Sequence, residues 1–173
     1  MVDATTKAAI RAFRENGGLL RTKEVLAHGV HPRTLYQMRE EGLLDQVSRG
    51  IYRLASFPSL SQPDLVTVAL RVPKAVICLI SALAFHEATT EIPHEVYVAL
   101  PRRTKSPRLD YPPVRVFWFS GPALAEGVQV VKLDGVRLRI YDLPKTVVDC
   151  FRFRNKIGLD VAVGALNEAV KNS

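Results

Sequence analysis

The sequence predicts an α+β protein in two parts. In the N-terminal part, three short helical segments that end at or near glycine precede an alternating segment typical of a β-hairpin. In the C-terminal part, strand-like runs such as "EVYVALP" and "VRVFWFS" are interspersed with helix-like runs such as "LPKTVVDCFRFR", which predicts a mixed α/β domain. The polar, proline-bearing stretch "SFPSLSQP" separates the two, so we place the domains at residues 1–56 and 57–173.

Three helices are predicted in the N-terminal domain. The first, "TTKAAIRAFREN", has apolar residues at helical spacing and ends at two glycines. The second lies within "LLRTKEVLAHG", with Thr22 as its N-cap and with Val25 and Leu26 as its buried positions. The third begins at Pro32, where the missing N–H costs nothing, and ends at Gly42.

Two hairpins and several further elements follow. "LLDQVSRGIYRLA" alternates around a turn at "RG", and "VQVVKLDGVRLRIYD" turns at Asp134-Gly135, a dipeptide typical of tight hairpin turns. Residues 75–79 are predicted as a buried strand, with Ser81 as the cap of the next helix. Trp118 is predicted to belong to the core, because apolar residues occupy both faces of its strand.

Charge and composition narrow the function classes. The net charge is +7 and the isoelectric point about 9.7, which favours a polyanionic partner. Cys78 and Cys150 lie in apolar runs, so we expect buried thiols in a reducing compartment rather than a disulfide or zinc site. The charged N-terminus is unlike a signal peptide, and the longest apolar run, 75–85, is too short to span a bilayer. We therefore expect a cytoplasmic protein without a membrane partner.

The third helix has two different faces. Leu35 and Met38 form a narrow apolar seam, whereas Arg33, Tyr36 and Gln37 point away from it. Three helices followed by a hairpin is the order of a winged helix-turn-helix domain, whose last helix lies in the DNA major groove. There Arg33 could bind guanine, Gln37 adenine, and Tyr36 a thymine methyl group or a phosphate. A solvated helix face in a protein-binding domain is the alternative.

Other residues of this domain suit the phosphate backbone. We expect these contacts at the start of the second helix, where free amides would assist, and at the hairpin tip. Glu40 and Glu41 would repel phosphates, although they lie at the far end of the third helix. The full predicted DNA-binding set is Arg21, Thr22, Lys23, Arg33, Thr34, Tyr36, Gln37, Ser48 and Arg49.

A second basic segment lies in the C-terminal domain. The loop "PRRTKSPRLDYPPVR" carries five cations and one acidic residue, Asp110. It is either a second contact with the DNA backbone or a solvated loop. Its candidate DNA contacts are Arg102, Arg103, Lys105 and Arg108.

Catalytic and metal sites are not predicted. "HEATTE" lacks the second histidine of a zinc-binding HExxH helix, and His94 follows a proline outside that helix. A metal-dependent nuclease needs convergent carboxylates. Here Asp134 lies in a predicted turn, Asp142 lies just before a proline, and Asp149 lies in a predicted helix. We therefore predict no enzyme activity, no metal and no cofactor.

Four segments carry a family resemblance: "LLRTKEV", "PRTLYQMREEGLLDQVSRGIYRL", "ICLISALAFHEATTEIPHEVYVALP" and "IYDLPKTVVDCFRFR". They resemble the AbiEi family of antitoxins. The resemblance implies a prokaryotic repressor, nucleoid-associated when bound, that binds inverted repeats in its own promoter. By position, the reading helix is 32–41 and the wing tip 48–50.

The same resemblance implies partners and leaves alternatives. The genetic partner would be a nucleotidyltransferase-like toxin from the same two-gene, type IV operon, and DNA-induced self-association stays open. The alternatives are a module that binds and neutralises the toxin directly and a metal-dependent nuclease.

Overall fold

The computed structural model describes residues 3–173, so the first two residues of the predicted N-terminal domain lie outside the described part of the chain. The chain divides into two compact units. The first unit ends at Pro63, and the second spans Asp64–Ser173. The predicted α+β class is confirmed.

The first unit combines short helices with a small antiparallel sheet. The sheet has the order β1-β3-β2, which is the wing of a winged helix-turn-helix domain. Its elements are α1 (Ala4–Glu15), β1 (Leu19–Arg21), α2 (Thr22–Ala27), α3 (Pro32–Glu40), β2 (Leu44–Ser48) and β3 (Ile51–Leu54).

The second helix differs from its prediction. The residues "LLR" form β1, which pairs with β3, so Thr22 is the first helical residue and Arg21 occupies the N-cap position. Leu26 is 41% exposed, whereas Val25 is buried as predicted. Neighbouring helical residues point about 100° apart, and in α2 it is Val25 whose side chain faces the core of the unit.

Part of the predicted linker packs against the first unit. Phe57 contacts its core cluster, and Arg53 donates hydrogen bonds to the Phe57 and Pro58 carbonyls. Gly18 has a φ of +82°, and a Cβ at this position would overlap the Phe57 ring. A side chain at Gly18 would therefore displace this segment.

The second unit contains a mixed five-stranded sheet of order β6-β5-β4-β8-β7. The β5–β6 and β4–β8 pairs are parallel, and the β4–β5 and β7–β8 pairs are antiparallel. Its elements are α4 (Pro63–Arg71), β4 (Val76–Ile77), α5 (Leu79–Phe85), β5 (Val96–Pro101), β6 (Val114–Phe119), α6 (Pro122–Ala125), β7 (Val128–Leu133), β8 (Val136–Tyr141), α7 (Leu143–Arg152), α8 (Arg154–Ile157) and α9 (Leu159–Lys171).

The structure confirms some of the predictions made from local sequence in this unit and contradicts others. The Asp134-Gly135 hairpin is confirmed, because β7 and β8 pair directly across it and both turn residues have positive φ. Ser81 does not cap α5; Cys78 is the N-cap, and the Ser81 hydroxyl accepts the Tyr97 amide at 2.9 Å. Trp118 is 44% exposed rather than buried, because β6 lies at the edge of the sheet.

The interior of the second unit is largely aromatic and aliphatic. Cys78 and Cys150 are buried free thiols, as predicted, and burial raises the pKa of Cys78 and brings the pKa of Cys150 to about 12. The buried Asp149 carboxylate accepts a hydrogen bond from the Lys145 ammonium at 2.5 Å.

None of the helices within residues 3–173 is both long and apolar enough to span a membrane.

Candidate nucleic-acid interface

Helix α3 is held by a cap at its start and an apolar seam along one side. The His31 side chain accepts a hydrogen bond from the Arg33 amide through Nδ1 at 3.1 Å, and Pro32 occupies the first helical position. Leu35 and Met38 are buried in the core of the first unit, as predicted. These contacts fix which side of the helix faces away from the core.

The outward face carries the side chains expected to read DNA. Arg33, Tyr36 and Gln37 are exposed and lie three and four residues apart, so they share one face of α3. Tyr36 is 54% exposed. Thr34 is only partly exposed and lies beside this face.

Three contacts on or beside this face were not predicted from the sequence. The Gln37 amide donates to the Glu41 carboxylate at 2.8 Å, which occupies the group expected to pair with adenine. Arg39 lies over the Tyr36 ring at 5.7 Å and donates to the Gln46 side chain at 3.0 Å. Arg39 therefore links the helix to the wing, and no local signal marks Gln46 as its partner.

The start of α2 is less open than expected. The Thr22 amide donates to the Gly50 carbonyl at 2.9 Å, and the Arg21 amide donates to Glu24 at 2.7 Å. The expectation of free amides is therefore wrong for these two groups, because the wing turn and a carboxylate already accept their hydrogen bonds. Burial raises the pKa of Glu24, but hydrogen bonds and charge from Arg21 outweigh it, so this pKa lies below its usual value.

The remaining predicted contacts of the first unit lie at its surface. Lys23 is exposed, Ser48 is half-buried at the end of β2, and Arg49 is exposed in the wing turn. Gly50 completes that turn with a φ of +74°. Arg49 thus lies at the tip of the wing, as the sequence predicted.

The basic loop of the second unit connects β5 to β6. Arg102, Arg103, Lys105 and Arg108 lie in this loop and are exposed. Arg115 lies in β6 instead, with its guanidinium over the rings of Tyr97 and Phe117 at 5.6 and 5.4 Å.

The candidate catalytic carboxylates have structural contacts. Asp142 caps α7 by accepting the Lys145 amide at 2.8 Å, and Asp149 accepts the Lys145 ammonium. His86 Nε2 lies 2.8 Å from the Tyr141 carbonyl oxygen. Within residues 3–173, no three histidine, cysteine or acidic side chains are grouped closely enough to hold a metal ion.

The order of elements and the exposed face of α3 define the first unit as a winged helix-turn-helix domain. Residues 8–55, which extend from α1 through β3, match the family described as "Transcriptional regulator, AbiEi antitoxin". The resemblance identified from the sequence is confirmed over these residues.

One solved structure shares the fold of most of the chain. It is described as the crystal structure of the RV2827C protein from Mycobacterium tuberculosis, with 13% sequence identity and a TM-score of 0.58. The match covers 87% of this chain and 61% of the other, so the chain spans less than two thirds of that protein. At this identity the likeness shows the fold alone. No curated protein matches the sequence.

Proposed function

We propose that this chain is a sequence-specific DNA-binding repressor and the antitoxin of a two-gene toxin–antitoxin operon. The observation that carries the proposal is the outward face of α3, where Arg33, Tyr36 and Gln37 are exposed on a helix seated by its opposite side. The family match over residues 8–55 supports a regulator and antitoxin role. The net charge of +7 suits a polyanionic partner.

In this proposal α3 enters the major groove and reads base edges. Arg33 binds guanine through a bidentate contact, and Tyr36 contacts a thymine methyl group or a phosphate. Gln37 leaves Glu41 and pairs with adenine, since both need the same side-chain amide. Thr34 supports these contacts from the edge of the face.

Backbone contacts fix the register of the complex. Lys23 and Arg49 carry the phosphate contacts of α2 and the wing, with Arg21, Thr22 and Ser48 beside them. The β5–β6 loop adds a second backbone contact through Arg102, Arg103, Lys105 and Arg108. The operator is an inverted repeat in the chain's own promoter, where neighbouring copies of the protein can associate. The toxin is a nucleotidyltransferase-like genetic partner. The role is regulatory and not enzymatic.

A titration against the promoter DNA at several salt concentrations tests this proposal. We expect Arg33→Ala to weaken binding to the specific site by about 1–3 kcal/mol while leaving binding to random DNA nearly unchanged. Lys105→Ala should reduce the log–log salt slope on every duplex by about 1. An unmutated protein with no preference for its promoter over random DNA would overturn the proposal.

A direct toxin-neutralising role is the second candidate, and one surface favours it. Leu159, Val163, Leu166 and Val170 are 42–66% exposed and follow one face of α9. An apolar stripe of this kind is typical of protein contacts. Co-purification with the product of the neighbouring gene, lost in Leu166→Glu, would support this role, whereas two proteins that elute separately would contradict it.

A further inference from the structure

A basic, aromatic groove lies in the second unit beside the edge strand β6. Its volume is about 640 Å³, and it is bordered by the start of the β5–β6 loop, by β6 and by the segment where α7 ends and α8 begins. Three aromatic residues line it, Phe117, Trp118 and Phe153. Four cations line it as well, Arg102, Arg103, Arg152 and Lys156.

The charge of the groove is entirely positive. No acidic residue is among its lining residues, and none of its four cations forms an ion pair within residues 3–173. Asp149 attracts one of these cations, Arg152, but it is buried outside the groove lining and its carboxylate is paired with Lys145. The groove therefore favours an anionic ligand.

Aromatic rings hold two of these cations in place. The Arg152 guanidinium lies 5.3 Å from the centre of the Phe153 ring, and the Lys156 ammonium lies 5.8 Å from that of Phe117. Cations held over ring faces lose less conformational freedom when they bind an anion. The ring contacts therefore restrict the Arg152 and Lys156 side chains to positions beside the groove.

Trp118 makes the groove more than an anion site. Its indole Nε1 donates to the Thr104 carbonyl at 3.1 Å, so its only hydrogen-bond donor is satisfied. The ring is nevertheless 44% exposed. What it offers to a ligand is therefore its flat apolar surface, which is the surface on which unpaired nucleobases stack.

We propose that this groove binds unpaired nucleic acid, with one base stacked on Trp118 and the adjoining phosphates on the four cations. A DNA duplex would use the cations but keep its bases stacked inside, so Trp118 would have no role. An acidic peptide would likewise need the cations alone. Single-stranded DNA and single-stranded RNA share the required chemistry. The groove lies wholly in the second unit, so the proposal does not depend on DNA reading by α3.

Trp118 provides a direct readout, because it is the only tryptophan of the chain. Purified full-length protein is titrated with oligo-dT and oligo-U ten nucleotides long, and with a ten-base-pair duplex and a polyglutamate peptide. We expect at least one of the two single strands to quench tryptophan fluorescence at a lower concentration than the duplex or the peptide does.

Variants then separate stacking from charge. Binding of fluorescein-labelled oligonucleotides, followed by anisotropy, should weaken about 5- to 150-fold in Trp118→Ala, and Trp118→Phe should recover part of the loss. Lys156→Gln should reduce the log–log salt slope by about 0.7. Lys132→Gln is the matched control, because Lys132 lies on β7 at the opposite edge of the sheet. Thermal melting checks that each variant is folded.

The outcomes separate this proposal from the repressor proposal. The single-strand proposal is overturned when neither oligo-dT nor oligo-U quenches tryptophan fluorescence at low salt. It is also overturned by a folded Trp118→Ala variant that binds single strands as tightly as the unmutated protein. Equal quenching by duplex, peptide and single strands would show charge attraction alone and would also overturn it. Loss of promoter preference in Arg33→Ala bears only on the repressor proposal.

Discussion

Glu41 is the residue that most limits the proposed reading helix. Its carboxylate accepts the Gln37 amide at 2.8 Å on the exposed side of α3. In a DNA complex Gln37 would give up this hydrogen bond, and the carboxylate would lie near phosphates that repel it. The free protein is therefore stabilised in a form that competes with DNA binding at this residue.

We expect Glu41→Gln to tighten binding to the promoter by about two- to fivefold, because it removes one negative charge from the DNA-facing side. The effect should shrink as salt rises. Filter binding or anisotropy at two salt concentrations measures it. Glu15→Gln is a matched control, since Glu15 is an exposed carboxylate at the end of α1. Unchanged or weaker binding in Glu41→Gln would show that this side does not face DNA.

At the scale of elements, α3 depends on the rest of its unit. It has nine residues, and an isolated helix of this length is unstable in water. Its stability comes from the burial of Leu35 and Met38 against α1, α2 and the wing strands. Arg39 adds a link from the helix to β2 through Gln46. The orientation of the reading face is therefore a property of the whole unit.

Met38→Ala should lower the free energy of unfolding by about 2–5 kcal/mol, because Met38 is fully buried and its truncation leaves a cavity. Urea unfolding followed by circular dichroism measures the change. Glu40→Ala, an exposed position on the same helix, should stay within about 0.5 kcal/mol of the unmutated protein. A Met38→Ala loss below about 1 kcal/mol would contradict the packing described for α3.

At the scale of the whole molecule, the buried pair Lys145–Asp149 links stability to pH. Burial raises the pKa of Asp149, and this effect outweighs the hydrogen bond and the positive charge of Lys145. The folded state therefore keeps this proton at pH values where the unfolded chain has already released it. In that window the contribution of Asp149 to stability falls as pH rises.

Asp149→Asn should remove that pH dependence. We expect the free energy of unfolding of this variant, minus that of the unmutated protein, to increase as pH rises above 3.8, the ordinary pKa of an aspartate. Urea unfolding at a series of pH values measures the difference. Parallel curves for the two proteins would contradict the raised pKa.

Local signals determined much of this protein from its sequence. The Asp134-Gly135 turn, the proline at the start of α3, and the Leu35 and Met38 seam all depend on residues a few positions apart, and the structure confirms them. The order of helices and hairpin likewise follows from local periodicity. The α+β class and the exposed face of α3 could be predicted for the same reason.

Only the tertiary structure decided which distant segments meet. Strand β1 exists because β3 offers it a free edge, and Trp118 is exposed because β6 became the edge of its sheet. The Arg39–Gln46 contact and the basic, aromatic groove likewise join residues that are separated along the chain. The order of strands in a sheet and the contacts between distant side chains depend on packing between segments far apart in the sequence. Local sequence patterns contain no information about that packing.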